Sequence, residues 1–208
     1  MGILIDLIHT PISSIIFLST SIISLLALYK YPLIFEKFIF NPYSFKRGER
    51  PLSILTSSLI HGDLFHLIFN MMSFYFFAFY LELIVGHLNF LIIYFLSVIF
   101  SSVPSIIKHS NNMDYYSLGA SGGISGILFA FILFEPDSSI MMLYIPIPIP
   151  SYIFGVLYLL WSWYADKNAN DNIGHDAHLW GALSGLIVTI FLYYEHGIIS
   201  NFISKLTN

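Results

Sequence analysis

Charge is missing from long reaches of this chain. Between Pro11 and Tyr29 there is no Asp, Glu, Lys, Arg or His. Predominantly apolar runs recur at 64–85, 88–107, 118–134, from 145–152 to 164, and at 177–194. A helix needs about 20 such residues to cross the hydrocarbon core of a bilayer. One run could be a buried core helix, but six in 208 residues leave too little polar chain to wrap them in water. Charged residues are 10% of the chain, where a soluble domain carries roughly 25%. Lipid must therefore be the main solvent. This excludes an ordinary soluble enzyme, a nucleic-acid binder and a disordered tail. A formal charge of −4 gives no footing for a polyanion partner, and zero cysteines exclude disulfide staples and Cys-based metal sites.

Spans in lipid must satisfy their backbone internally, so these are helices. The expected fold is an all-α membrane protein of six transmembrane helices. It forms a single domain over 1–208 with its core at about 11–194. Residues 11–29 read as a retained span, because no basic region precedes them and the run is too long for a signal-peptide core. Tyr31–Ile60 is semi-apolar and holds Lys37, Lys46, Arg47 and Arg50, with Lys30 just before it. Such a loop belongs in the membrane interface. Pro146, Pro148 and Pro150 alternate with Ile, which makes that stretch extended.

Polar groups inside spans are costly and need a reason. Three clusters stand out: His61-Gly-Asp-Leu-Phe-His66-Leu-Ile-Phe-Asn70, Gly119-Ala-Ser121-Gly122-Gly123-Ile-Ser125-Gly126, and His175-Asp-Ala-His178-Leu-Trp-Gly181-Ala-Leu-Ser-Gly185. Each has a plain structural reading. His66 and Asn70 share a helix face and could be interhelical glue, while Gly122 and Gly126 form a GxxxG packing face. His178, Gly181 and Gly185 follow 3, 4 spacing, so His178 tops a small-residue face suited to another Gly-rich helix.

Together the clusters say more. In a six-span chain, spans two, four and six begin on the same side. His66, Ser121 and His178 all fall near those beginnings, and glycine contact between spans four and six would bring Ser121 to His178. Serine is a weak nucleophile unless a neighbour takes its proton, and imidazole does this near neutral pH. The oxyanion formed on attack needs preorganised donors. The Ser121 N–H, the Asn70 amide and the His66 ring are the candidates, with His61 lining the same polar pocket. Asp176 is two residues from His178 and points elsewhere on a helix, so a Ser–His dyad is expected. Ser125 would sit one turn deeper, which favours Ser121 as nucleophile.

These elements resemble the rhomboid family of intramembrane serine proteases, of the minimal six-helix bacterial kind. The likeness rests on HGDLFHLIFNM at 61–71, GASGGISG at 119–126 and AHLWGALSG at 177–185, in that order, within about residues 50–194. It implies a rhomboid-like bundle with an interfacial first loop. It also implies a catalytic dyad of Ser121 and His178 and oxyanion donors at His66, Asn70 and the Ser121 N–H. Gly119 matches the glycine before the nucleophile, and Glu82 matches a structural glutamate near the far end of span two. Gly122, Gly126, Gly181 and Gly185 would be structural. The implied partners are the lipid bilayer and single-pass membrane protein substrates, with no nucleic acid, metal or cofactor. The implied place is a bacterial inner membrane.

Two departures are visible. Many rhomboids carry Trp-Arg in the first loop, where this chain reads Pro51-Leu52-Ser53 after Arg50. An aromatic residue often follows four positions after the nucleophile and packs on the catalytic His, and here that position is Ser125. Orientation carries a conflict as well. The positive-inside rule would turn the active face to the cytoplasm, because the loops after spans one, three and five hold Lys30 to Arg50, Lys108 and Lys167. The family's usual arrangement faces outward, and that is the one expected. A catalytically inactive rhomboid-like binder is the alternative. A small channel or transporter lacks the inverted repeat it would need. A metal site has no His-Glu-x-x-His helix to build on.

Overall fold

A computed structural model describes residues 9–142, 145–171 and 173–207. Residues 1–8, 143–144, 172 and 208 of the expected domain lie outside the described residues. The elements run α1 (Pro11–Tyr29), α2 (Leu33–Phe38), α3 (Pro42–Lys46), α4 (Ser53–Thr56), a short 3-10 turn, α5 (Leu64–Ser101) and α6 (Val103–His109). They continue with α7 (Ser121–Phe134), β1 (Ser139–Met142), β2 (Ile145–Pro150), α8 (Ser151–Asn168), α9 (His175–Tyr193) and α10 (Ile198–Thr207).

The second expected span and most of the third fall in α5, which is two helices meeting at Gly86, whose φ of 76° and ψ of 165° are non-helical. A left-handed φ costs glycine little, so the break falls where the apolar pattern left its gap. The break folds the element back on itself. Phe74 and Tyr94 would be about 30 Å apart along a straight helix, yet their ring centroids are 5.8 Å apart. The two arms, 64–85 and 87–101, therefore run antiparallel.

By length and composition, Pro11–Tyr29, Leu64–His109 and His175–His196 are apolar enough to cross a membrane. The six expected spans are thus not matched one for one. Helix α7 is shorter, at 14 residues, and α8 is less apolar than these three.

Helix α7 is the axis of the fold. Every residue from 122 to 130 is buried, and α7 packs against both α5 and α9. An all-round apolar helix belongs inside a bundle. Lipid is as apolar as leucine, so helix association here rests on close packing and hydrogen bonds rather than on water exclusion. Outward-facing residues such as Ile15, Leu18 and Ile22 on α1, and Leu157, Leu160 and Trp161 on α8, are exposed, as lipid-facing side chains are.

Glu82 is buried, and its carboxylate accepts the N–H groups of Ile12 (3.1 Å) and Ser13 (2.7 Å). It also meets His87 Nδ1 at 2.7 Å. The first N–H groups of a helix lack partners and favour negative charge, so one carboxylate ties the start of α1 to the middle of α5.

The proline stretch is extended, as its composition requires. It is also paired: β2 runs antiparallel to β1, with Ser139 opposite Pro150 and Ile140 opposite Ile149. The fold is therefore not purely helical. Helix α10 lies beyond the last expected span. Its Lys205 donates to Phe134 O (2.8 Å) and Glu135 (3.1 Å) at the end of α7, where a cation suits the helix terminus.

Candidate active site

Three helix starts converge. At the head of α5, Asp63 accepts the backbone N–H of His66 at 2.8 Å, a side-chain cap that fixes the first turn. At the head of α7, Ser121 is the first helical residue, after Gly119 with φ +113°. A Cβ built on Gly119 would fall 2.8 Å from His66 Cε1 and 2.9 Å from its Nε2. Glycine is thus required twice at 119, for its backbone and for the imidazole lying over it.

Helices α7 and α9 touch backbone to backbone. A Cβ on Gly181 would lie 2.8 Å from the Gly122 carbonyl carbon, and one on Gly185 would lie 2.5 Å from that of Gly126. The Ala177 carbonyl oxygen is 3.6 Å from where a Gly122 Cβ would stand. Ala177 and Gly122 are the chain neighbours of His178 and Ser121, so both side chains belong to one level of the bundle. No hydrogen bond joins Ser121 Oγ to the His178 ring among the described residues. Both residues are half-buried.

Asn70 is buried, and its amide donates to His66 O at 2.9 Å, which leaves one N–H uncommitted. Ser125 is fully engaged: it donates to Ser121 O at 2.8 Å and meets Tyr158 OH at 2.6 Å. Asp176 does not reach His178. It accepts from Lys108 at 2.9 Å and from the Ala177 N–H at 2.8 Å. His175 pairs instead with Asp171 at 3.2 Å.

His61, just outside α5, is completely buried, with its ring edge-on to His66 at 4.8 Å. Its surroundings fix its tautomer. Ser24 Oγ uses its proton on Leu59 O (2.9 Å), so it accepts from His61 Nδ1–H (3.0 Å). Nε2 is then bare and accepts the Ala120 N–H at 3.4 Å. A wire thus runs from α1 to the residue before Ser121.

Burial above all, with His66 second and against the pull of Asp63, lowers the His61 pKa to about 3. The folded protein therefore refuses a proton that the unfolded chain takes below about pH 6.5. This contribution to stability is intact above that pH. It is lost as the pH falls toward 3, by up to about 1.4 kcal/mol per pH unit. We expect the thermal midpoint in detergent to drop between pH 7 and pH 4.5, and His61→Gln to flatten the dependence. An equally steep fall in that variant would show that another group carries it.

Sequence reasoning reached His61, His66, Asn70, Gly119, Ser121 and His178, and the structure brings them to one end of the bundle. It missed Ser24 and Tyr158, which enter from other helices with no local motif to mark them. Glu82 lies away from this cluster, at the start of α1. Among the described residues, no group of three or more His, Asp or Glu could hold a metal ion.

A family model described as Rhomboid domain matches residues 48–195. The chain is 30% identical over 138 residues to YdcA of Bacillus subtilis (strain 168), whose name assigns it provisionally to the rhomboid proteases. That match covers 65% of this chain and 64% of the relative. It is 26% identical over 141 residues to Rhomboid protein 1, mitochondrial, of Saccharomyces cerevisiae (strain ATCC 204508 / S288c), covering 65% of this chain and 40% of the relative. It is 26% identical over 162 residues to RHOMBOID-like protein 12, mitochondrial, of Arabidopsis thaliana, covering 71% and 48%. The matches thus span about half of these relatives' own length.

Proposed function

The chain belongs to the rhomboid family, and from that membership we propose that it is an intramembrane serine endopeptidase cutting transmembrane segments of other membrane proteins. Ser121 Oγ attacks the scissile carbonyl while His178 takes its proton. The oxyanion is met by the His66 ring, the spare Asn70 N–H and the backbone N–H of Ser121, which has no intrahelical partner at the head of α7. The intermediate collapses as His178 returns the proton to the leaving amine. Water then attacks the acyl-enzyme by the same route. Gly122, Gly126, Gly181 and Gly185 hold the two helices together, Gly119 makes room for His66, and Glu82 pins α1.

The observation that carries this reading is the backbone contact between α7 and α9. It supports bringing a hydroxyl and an imidazole to one level beneath the His66 ring. A helical amide is shielded by its own hydrogen bonds, so a substrate must unwind locally, and small or helix-breaking residues at the cut suit it. The protein is an integral membrane protein. We read its membrane as a bacterial inner membrane, its bundle as six-spanning and its active face as turned outward.

One observation favours the inactive binder: Ser121 and His178 share no hydrogen bond. Catalytic hydrogen bonds are, however, often long without substrate. A serine-directed fluorophosphonate separates the two readings. Labelling of purified protein on Ser121, lost in His178→Ala, is the expected result. Wild-type labelling at background would favour the binder.

A further inference from the structure

Among the described residues, no carboxylate orients the His178 imidazole. No hydrogen bond reaches its ring among the described residues, and its acidic neighbours are committed elsewhere, Asp176 to Lys108 and Asp171 to His175. A base that must accept a proton from one serine still needs a fixed ring plane. What faces the ring are two other rings. His175 is edge-on at 6.1 Å and 84°, and Tyr158 of α8 is tilted at 6.5 Å and 32°. Both lie within the range of attractive aromatic pairing.

Tyr158 is itself held. Its ring packs against Phe129 at 5.8 Å and Phe154 at 6.1 Å, and its hydroxyl meets Ser125 Oγ at 2.6 Å. A serine hydroxyl has one proton, and Ser125 gives it to Ser121 O at 2.8 Å. Tyr158 must therefore be the donor to Ser125. A continuous path follows: His178 ring, Tyr158 ring, Tyr158 O–H, Ser125 O–H, Ser121 carbonyl. It joins the base to the backbone of the nucleophile through a third helix.

We propose that Tyr158 is a positioning residue for His178, anchored by Ser125, so that the residue four after the nucleophile supplies a socket and α8 supplies the ring. The inference rests on the protease reading above. It turns the departure at 125 into one half of a two-residue device, since a small hydroxyl at that position is what lets a tyrosine from α8 reach the base.

The test uses the full chain in detergent, a model transmembrane substrate and active sites counted by fluorophosphonate. Tyr158→Leu keeps most of the volume without a ring. It should lower kcat per titrated site about 30-fold, with KM within about twofold, as expected for a slightly misplaced base. Tyr158→Phe keeps the ring and loses the anchor, as does Ser125→Ala. Each should cost about 3- to 10-fold, the worth of one net hydrogen bond, and the double variant should lose no more than either alone. Tyr158→Leu with kcat per site within twofold of wild type would overturn the inference. So would losses in Tyr158→Phe and Ser125→Ala that multiply. A wild type that neither cleaves nor labels would remove the protease reading itself, and is thereby distinguishable from failure of this device alone.

Discussion

Replacing Ser121 with alanine should abolish cleavage of a transmembrane substrate, by about 10^4-fold or more, while the protein still folds. The change removes one half-buried hydroxyl that makes no hydrogen bond among the described residues, so the thermal midpoint should stay within a degree or two. His178→Ala should cost about as much. The double variant should be no worse than either single one, because a nucleophile without its base and a base without its nucleophile are equally idle. The measurement is product formation in reconstituted vesicles at fixed substrate density. Full activity in Ser121→Ala would sink the dyad, and abolition only in Ser125→Ala would move the nucleophile one turn deeper.

The second large effect lies in the glycine seam. Gly185→Ala adds one methyl group, but that methyl would stand 2.5 Å from the Gly126 carbonyl carbon, with that residue's Cα and oxygen closer still. Backbone cannot swing aside as a flexible side chain can. The helices must part by about 1 Å, and overpacking of this kind typically costs about 1–3 kcal/mol. The same displacement withdraws His178 from Ser121, where a misplacement of about 1 Å can cost about 100-fold in rate. Stability and fluorophosphonate labelling should therefore fall together. Gly62→Ala is the control. Its new Cβ would find only Leu118 Cδ1, at 3.8 Å, and should change neither. A fully stable, fully labelled Gly185→Ala would show that α7 and α9 do not need to touch.

What could be read in advance was whatever repeats locally. Apolar runs marked the rods, and the gap between two of them fell on Gly86. Alternating prolines marked β2, and small residues at helical spacing marked the two faces that meet. What escaped joins residues far apart in the chain. Tyr158 and Ser125 are 33 positions apart, and Ser24 and His61 are 37 apart. Tyr158 and Ser24 carry no local mark within their apolar runs, and only the packed bundle pairs them with Ser125 and His61. The strand β1 escaped because Ser139–Met142 has no pattern of its own until β2 lies beside it. Helix α10 escaped because it is short and lies beyond the last expected span.

Helix α7 has one more consequence. Its 14 residues measure about 21 Å, while the oily layer is about 30 Å thick. A rod so short cannot reach both boundaries, so if its foot stands at one, its head stops about 9 Å beneath the other. On the protease reading, the length of one helix then sets how deep in the bilayer the Ser121 hydroxyl works.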